Sequence, residues 1–286
     1  SSDLYKPAET AYDNGEWKAA IEGYKGSMER SRKEWVQWYA RYRMGQCYWY
    51  IGDQKSAEEI LLDLNNKYPK NPFFPQVNIL LSEIYTYQKK FDAANKLLKD
   101  IITRRNEFMV CWVEKAEVMT GEIFIAQKDT RNAESHFKRI QPRLTYIELK
   151  NDAELGLGRC LEVKGETEKD PKAYRDAIKV YEGIIASYNP VSMPRCYAAI
   201  ARCYYMIKEY ESAFATGLRG GLLFIETQKP ISAESLYYAG KALVALYHAE
   251  NKPKISPDKF FARGTVSGFN FEHRLLHLFG LHDREL

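Results

Sequence analysis

Glycine and proline are scarce in this chain: Gly 17 and Pro 11 in 286 residues. That excludes a collagenous or low-complexity protein. The five cysteines, Cys47, Cys111, Cys160, Cys196 and Cys203, include no CxxC pair. The spacing therefore gives no zinc ribbon, haem attachment or disulfide framework. No apolar run approaches the roughly 20 residues a membrane-crossing helix needs; Gly221–Ile225 is an obvious one and has five residues. Neither sign of charge is in excess, since 42 Lys+Arg against 38 Asp+Glu leave +4. That is a weak positive field for a nucleic-acid binder, and no nucleic-acid partner is expected. What is abundant is a core, with 45% hydrophobic residues, and aromatic rings, with 21 Tyr, 13 Phe and 5 Trp. Disorder is excluded as the main state.

The sequence repeats. Ala20, Ala57, Ala94, Ala133, Ala177 and Ala213 are separated by 37, 37, 39, 44 and 36 residues. Three residues before each alanine stands Trp17, Gln54, Phe91, Thr130, Tyr174 or Tyr210. Four after it stands Tyr24, Leu61, Leu98, Phe137, Tyr181 or Gly217, and three further on Ser27, Leu64, Ile101, Ile140, Ile184 or Gly220. Spacings of 3, 4 and 3 place these positions on one stripe of a helix. A second pattern of small, polar, small or apolar, then large residues precedes each stripe: Gly45–Tyr48, Ser82–Tyr85, Gly121–Phe124, Gly158–Leu161, Ala201–Tyr204 and Gly240–Leu243. Small residues there let two antiparallel helices approach, and the large ones fill the space beside them. Gly15, Gly52 and Gly165 are placed to supply the positive-φ residue of the intervening turn.

Small, large, Gly turn, aromatic, Ala and aromatic in register, most complete over Gly45–Pro69, resemble the tetratricopeptide repeat, a helix-turn-helix unit of about 34 residues. The resemblance covers roughly residues 4 to 249. It implies an all-α, right-handed superhelical solenoid of about six to seven units over 1–250, with 251–286 as a capping segment on the last repeat. Three departures stand out: no unit has the family's early Trp, the fifth has an insertion at Glu166–Lys172, and Gly217 and Gly220 predict an irregular second helix in the sixth. The linkers at 67–72 and 187–190 are similar to those of envelope-associated bacterial relatives, an expectation of a periplasmic or envelope location; without it the compartment is open.

In this family the first helix of each unit lines the concave face where peptides bind. Laid on this sequence, that rule offers Tyr5, Tyr12, Tyr39, Tyr42, Gln46, Trp49, Tyr50, Glu83 and Tyr87 in the first half, then Arg159, Arg195 and Arg202. Aromatic anchors followed by arginines suit a peptide with apolar anchors and an acidic stretch. Tyr42 and Gln46 stand where chaperone-binding relatives carry a Lys and Asn clamp, which disfavours a chaperone C-terminus as ligand.

The remaining candidates for chemistry are weak. Gly156-Leu-Gly158 lacks a third glycine and a preceding strand. Cys47, Cys160 and Cys203 alternate with Ile and Ala at equivalent places, so they read as packing positions rather than nucleophiles. The stretch Arg30–Arg43 interleaves basic and aromatic residues but is isolated. His273 and His277 share a helix face four residues apart; Leu275, Leu276, Leu278 and Phe279 give that helix mainly a burial role. No metal and no cofactor are expected. The sequence thus reads as a non-catalytic scaffold that binds a protein or peptide. The other classes weighed are a self-assembling module joined through solenoid ends or edges into a homo-oligomer, and a metal-dependent enzyme using the His-bearing tail.

Overall fold

The computed structural model describes residues 5–187 and 190–251. Among them the regular structure is helical: α1 (Lys6–Asp13), α2 (Trp17–Arg30), α3 (Glu34–Tyr50), α4 (Gln54–Lys67), α5 (Phe74–Tyr87), α6 (Phe91–Thr103), α7 (Val110–Ala126), α8 (Thr130–Ile140), α9 (Ile147–Glu168), α10 (Pro171–Ala186), α11 (Met193–Met206), α12 (Tyr210–Phe224) and α13 (Lys229–Asn251). The protein is an all-α repeat solenoid built from helix-turn-helix pairs. The chain groups into two compact units, Ser1–Gln127 and Lys128–Leu286, so α7 belongs to the first and α8 to the second. The expected capping segment 251–286, with His273 and His277, lies outside the described residues apart from Asn251 at the end of α13.

The helix stripe is the core. Ala20, Tyr24, Ser27, Ala57, Leu61, Leu64, Ala94, Leu98 and Ile101 are wholly buried in the first unit, as are Ala133, Phe137, Ile140, Ala177 and Tyr181 in the second. Burying one such large side chain contributes about 1.5–3 kcal/mol, so the pattern marks where the fold gets its stability. The small positions opposite work as the spacing suggests. A Cβ on Gly45 would lie 2.5 Å from Leu61, and one on Gly158 would lie 2.4 Å from Tyr181. Cys47, Cys160 and Cys203 are buried free thiols in the same layer. Burial pushes the Cys47 and Cys160 thiols up to about 11.

The turns after α1, α3, α5 and α11 share one geometry. After α3, the Gly52 amide donates to the Trp49 carbonyl at 3.0 Å and the Asp53 amide to the Tyr48 carbonyl at 2.9 Å. This is the paired closure that ends a helix on a left-handed residue. Gly15 (φ 76) and Gly52 (φ 81) occupy that position, but elsewhere Lys89, Lys128, Lys169 and Lys208 do, with φ between 54 and 65. Asp53 and Asp129 then cap the next helix, each accepting the amide of the third residue on at 3.1 Å.

Three sequence expectations are corrected. Gly165 does not form a turn; it is buried within α9, and the left-handed residue is Lys169. The insertion at Glu166–Lys172, expected between the two helices of the fifth unit, is mostly helical: α9 runs 22 residues to Glu168, and Asp170 with Pro171 starts α10. Gly217 and Gly220 do not make α12 irregular, because it runs unbroken from Tyr210 to Phe224. They are needed for close approach. A Cβ on Gly217 would stand 2.5 Å from the Ser235 carbonyl of α13, and one on Gly220 2.5 Å from the Tyr197 Cβ of α11. With no side chain on that face, the neighbouring backbone takes the volume that Tyr181 or Leu61 fills elsewhere.

Candidate functional site in the first unit

The first-unit candidates come from the first helices of three pairs. On α1, Tyr5, Glu9 and Tyr12 recur at helical spacing, just as Trp35, Tyr39, Arg43, Gln46 and Tyr50 do on α3. Glu9 is the hub. Its Oε2 accepts from Arg43 Nη2 at 2.8 Å, and its Oε1 accepts from the Tyr39 hydroxyl at 2.9 Å and from the Tyr24 hydroxyl of α2. Arg43 Nε donates to the Tyr39 oxygen at 2.9 Å, and the guanidinium lies 4.0 Å from the centre of the Tyr12 ring. Gln46 extends the network, donating to the Tyr42 oxygen at 3.1 Å and accepting from the Tyr12 hydroxyl at 3.3 Å. Burial, then the Glu9 hydrogen bond, pushes the Tyr24 hydroxyl far above its ordinary range, so it stays a donor. Burial works against the Arg43 charge, but Tyr39 and Glu9 outweigh it and hold the guanidinium protonated.

A layer of rings covers this polar centre. Tyr42 stacks on Phe73, from the α4–α5 link, at 5.2 Å and 12°. Trp17 and Tyr50 lie 4.6 Å apart, and Trp49 meets Tyr87 of α5 edge-on at 6.0 Å. Tyr50 and Tyr87 project into solvent, 51% and 69% exposed. Tyr5 behaves differently from the projecting anchor expected of it. It is only 6% exposed, packed against Tyr24, Trp35 and Tyr39. Glu83 is half-buried, and burial raises its carboxyl above the usual range while Lys115 acts the other way. Beside the network lies a cleft of about 360 Å³ lined by Tyr5, Glu9, Trp35, Trp38, Tyr39, Pro72 and Phe73.

The three arginines are in the second unit. Arg195 Nη1 pairs with Asp152 at 3.1 Å. Arg202 forks onto Glu162 at 2.7 and 3.0 Å and also bonds Glu234, while Glu162 accepts the Tyr181 hydroxyl at 2.5 Å. Those two guanidiniums serve the scaffold. Arg159 is exposed. Among the described residues no group of three or more metal-ligating side chains comes together, and no helix is long and apolar enough to cross a membrane. In the Arg30–Arg43 stretch, Arg41 pairs with Asp63 at 2.9 Å and Arg43 with Glu9, which leaves fewer free cations than its composition suggests.

Sequence reasoning missed Arg43, Trp35, Trp38 and Phe73. For the first three a signal existed, because Trp35, Tyr39 and Arg43 follow at intervals of four, as do Trp38 and Tyr42. Phe73 sits in a link just before α5 and has no periodicity to betray it.

Helix pairs closed by one repeated turn, with an alanine-centred stripe buried between them, define a helical-repeat protein. Residues 39–71 match the tetratricopeptide repeat. Solved structures of the same architecture extend well beyond that unit. A tetratricopeptide repeat protein from Parabacteroides merdae superposes with a TM-score of 0.59 at 18% identity, over 97% of this chain and 97% of that one. A thermophilic TPR protein of Thermus thermophilus gives 0.50 at 16% identity, over 72% of this chain and 99% of that one. The assembly chaperone of RpL4, Acl4, gives 0.52 at 14% identity, over 89% and 99%. A comparison with curated proteins gives no match. These likenesses show that the chain has the fold of tetratricopeptide-repeat solenoids, with the repeat itself matched at residues 39–71.

Proposed function

We propose that this protein is a non-catalytic interaction scaffold that holds a segment of a partner protein on the aromatic first-helix face of its first unit. The tetratricopeptide fold is generally a protein–protein interaction scaffold, and one similar structure is that of Acl4, an assembly chaperone of RpL4. The observation that carries the reading is the mounting of the exposed rings. Tyr50 and Tyr87 stand open while Trp17 and Trp49 pack against them, and the Glu9–Arg43–Tyr39 network fixes α3, which bears Tyr50 and Trp49, against α1. Rings held in place before binding offer large contact area with little rotamer freedom left to lose. The second unit supports an acidic-segment preference less, because Arg195 and Arg202 already have carboxylate partners.

The test is peptide selection by display on the intact chain, followed by a Tyr50→Ala/Tyr87→Ala double variant. Selected peptides should bind the double variant at least tenfold more weakly, with its helical circular-dichroism signal unchanged. Undiminished binding would refute this assignment of the surface.

A further inference from the structure

The charges on the first-helix face of the first unit are not evenly matched. On α1, α3 and α5 the charged residues that are partly or wholly buried are Glu9, Arg41, Arg43 and Glu83. Arg43 pairs with Glu9 at 2.8 Å, and Arg41 with Asp63 at 2.9 Å. Glu83 forms no hydrogen bond or ion pair among the described residues. Lys115 of α7 acts on it through space, but burial is the larger influence and holds its carboxyl above the usual range. The carboxylate is nonetheless reachable. The residue is part-exposed, and its oxygens are not among the sealed polar atoms that lack a partner, such as Gln88 Oε1. Its surroundings are rings. Tyr87 follows one turn along the same face of α5 and projects into solvent, and Trp49 of α3 meets Tyr87 edge-on. Tyr42 of α3 is near enough that the Glu83 charge adds to burial in raising its hydroxyl.

A carboxylate drawn partly out of water without a counter-charge is costly, and a cation brought to it relieves that cost. Ring faces beside it attract the same charge. We propose that Glu83 is the seat of an arginine of the bound segment, with the guanidinium paired to the carboxylate and lying against the Tyr87 ring. Arginine fits better than lysine, because a guanidinium is weakly hydrated, forks onto a carboxylate and stacks on an aromatic face. The other charges on the face do not compete, since Glu9 is already bonded to Arg43. The proposal rests on the scaffold reading and adds a sign to it. The segment is basic where it crosses α5, opposite to the acidic stretch expected from Arg195 and Arg202, which have carboxylates of their own.

The experiment titrates three acetylated, amidated peptides into the full chain by calorimetry. The first has the sequence Gly-Tyr-Gly-Arg-Gly-Tyr-Gly, and the others carry citrulline or glutamate in place of the arginine. Citrulline keeps the shape and most of the N–H groups but not the charge. The arginine peptide should bind roughly tenfold more tightly than the citrulline peptide, and the glutamate peptide most weakly. Glu83→Gln should bring the arginine and citrulline peptides within about twofold of each other, since the charge-assisted part of the bond is gone. Its melting temperature should not fall, because no bond within the chain is lost. Glu83→Lys should make the glutamate peptide the best of the three. Equal binding of the arginine and citrulline peptides by the parent chain would overturn the proposal, and so would an arginine preference that survives Glu83→Gln. A purely structural role for Glu83 predicts a lower melting temperature in Glu83→Gln with the peptide order unchanged, which would also overturn it. If display-selected peptides require Tyr50 and Tyr87 while the arginine preference is absent, the scaffold reading stands and only this inference fails.

Discussion

Replacing Gly217 by alanine sets two effects of known size against each other. In a helix interior, Gly to Ala gains about 1 kcal/mol, because the glycine backbone has more freedom to lose on folding. Against that, the new Cβ would sit 2.5 Å from the Ser235 carbonyl and 3.1 Å from the Ala239 Cβ. Overpacking of this kind costs about 1–3 kcal/mol, and a backbone carbonyl in the middle of α13 cannot swing aside as a side-chain tip would. The upper part of that range applies, so the net effect is a loss of roughly 1–2 kcal/mol. Gly183 on α10 is the internal control: it is helical and exposed, with nothing among the described residues within 4 Å of its Cβ position. Gly183→Ala should therefore stabilise by about 1 kcal/mol, or about 2–4 °C in melting temperature for a protein of this size. Thermal denaturation followed by circular dichroism checks both signs. Because repeat arrays can open in parts, hydrogen exchange should also show lost protection in α13 near Ser232–Leu236 for Gly217→Ala and none for Gly183→Ala. If both alanines raise the melting temperature, the idea that α12 and α13 meet at backbone distance is wrong.

Other outcomes follow from the turns and the buried polar groups. Lys128 and Lys208 hold φ of 60 and 65, and replacing either with glycine relieves about 1 kcal/mol of left-handed strain, while Gly52→Ala should cost about as much; chemical denaturation measures each. Removing Arg202 leaves the Glu162 carboxylate buried without its cation, so Arg202→Ala should destabilise by about 2–3 kcal/mol, and Tyr181→Phe by about 1–2. Glu83 gives a pH signature. Burial raises its folded-state pKa, so its contribution to stability is present below the ordinary carboxylate pKa and is lost as pH rises through the raised folded value. Glu83→Gln should therefore be more stable than the parent at neutral pH, with the difference shrinking as pH falls toward 4, the ordinary glutamate range being about 4.3; urea melts at several pH values test this.

The repeat and its core were legible in the sequence because both are periodic. One alanine in each helix pair, with a large residue four further on, leaves the pair little choice of packing face, and Ala57, Leu61 and Leu64 are wholly buried as the spacing requires. Gly45 and Gly158 were readable for the same reason. The turn after α9 was not, since a lysine can take the left-handed position when the two closing hydrogen bonds reward it, and a helix can run straight through Gly165. Gly217 and Gly220 misled because a missing side chain looks like a weakness until the neighbour that fills the gap is known. At the site, the rings were visible one by one. Their division into projecting, bracing and buried members depends on Glu9, on Arg43 and on Phe73 arriving from a link, which are tertiary facts.

The thiols lie along the array like lamps on a corridor. Cys47 is in the first unit and Cys160, Cys196 and Cys203 are in the second, all buried, with burial pushing Cys196 up to about 12 and Cys203 higher still. A thiol held protonated away from solvent reacts with an alkylating reagent only while its surroundings are open. The rate at which each cysteine is labelled is therefore a clock for the breathing of its own helix pair. The chain carries these reporters natively, so the order in which its repeats come apart can be timed by mass spectrometry without adding a probe.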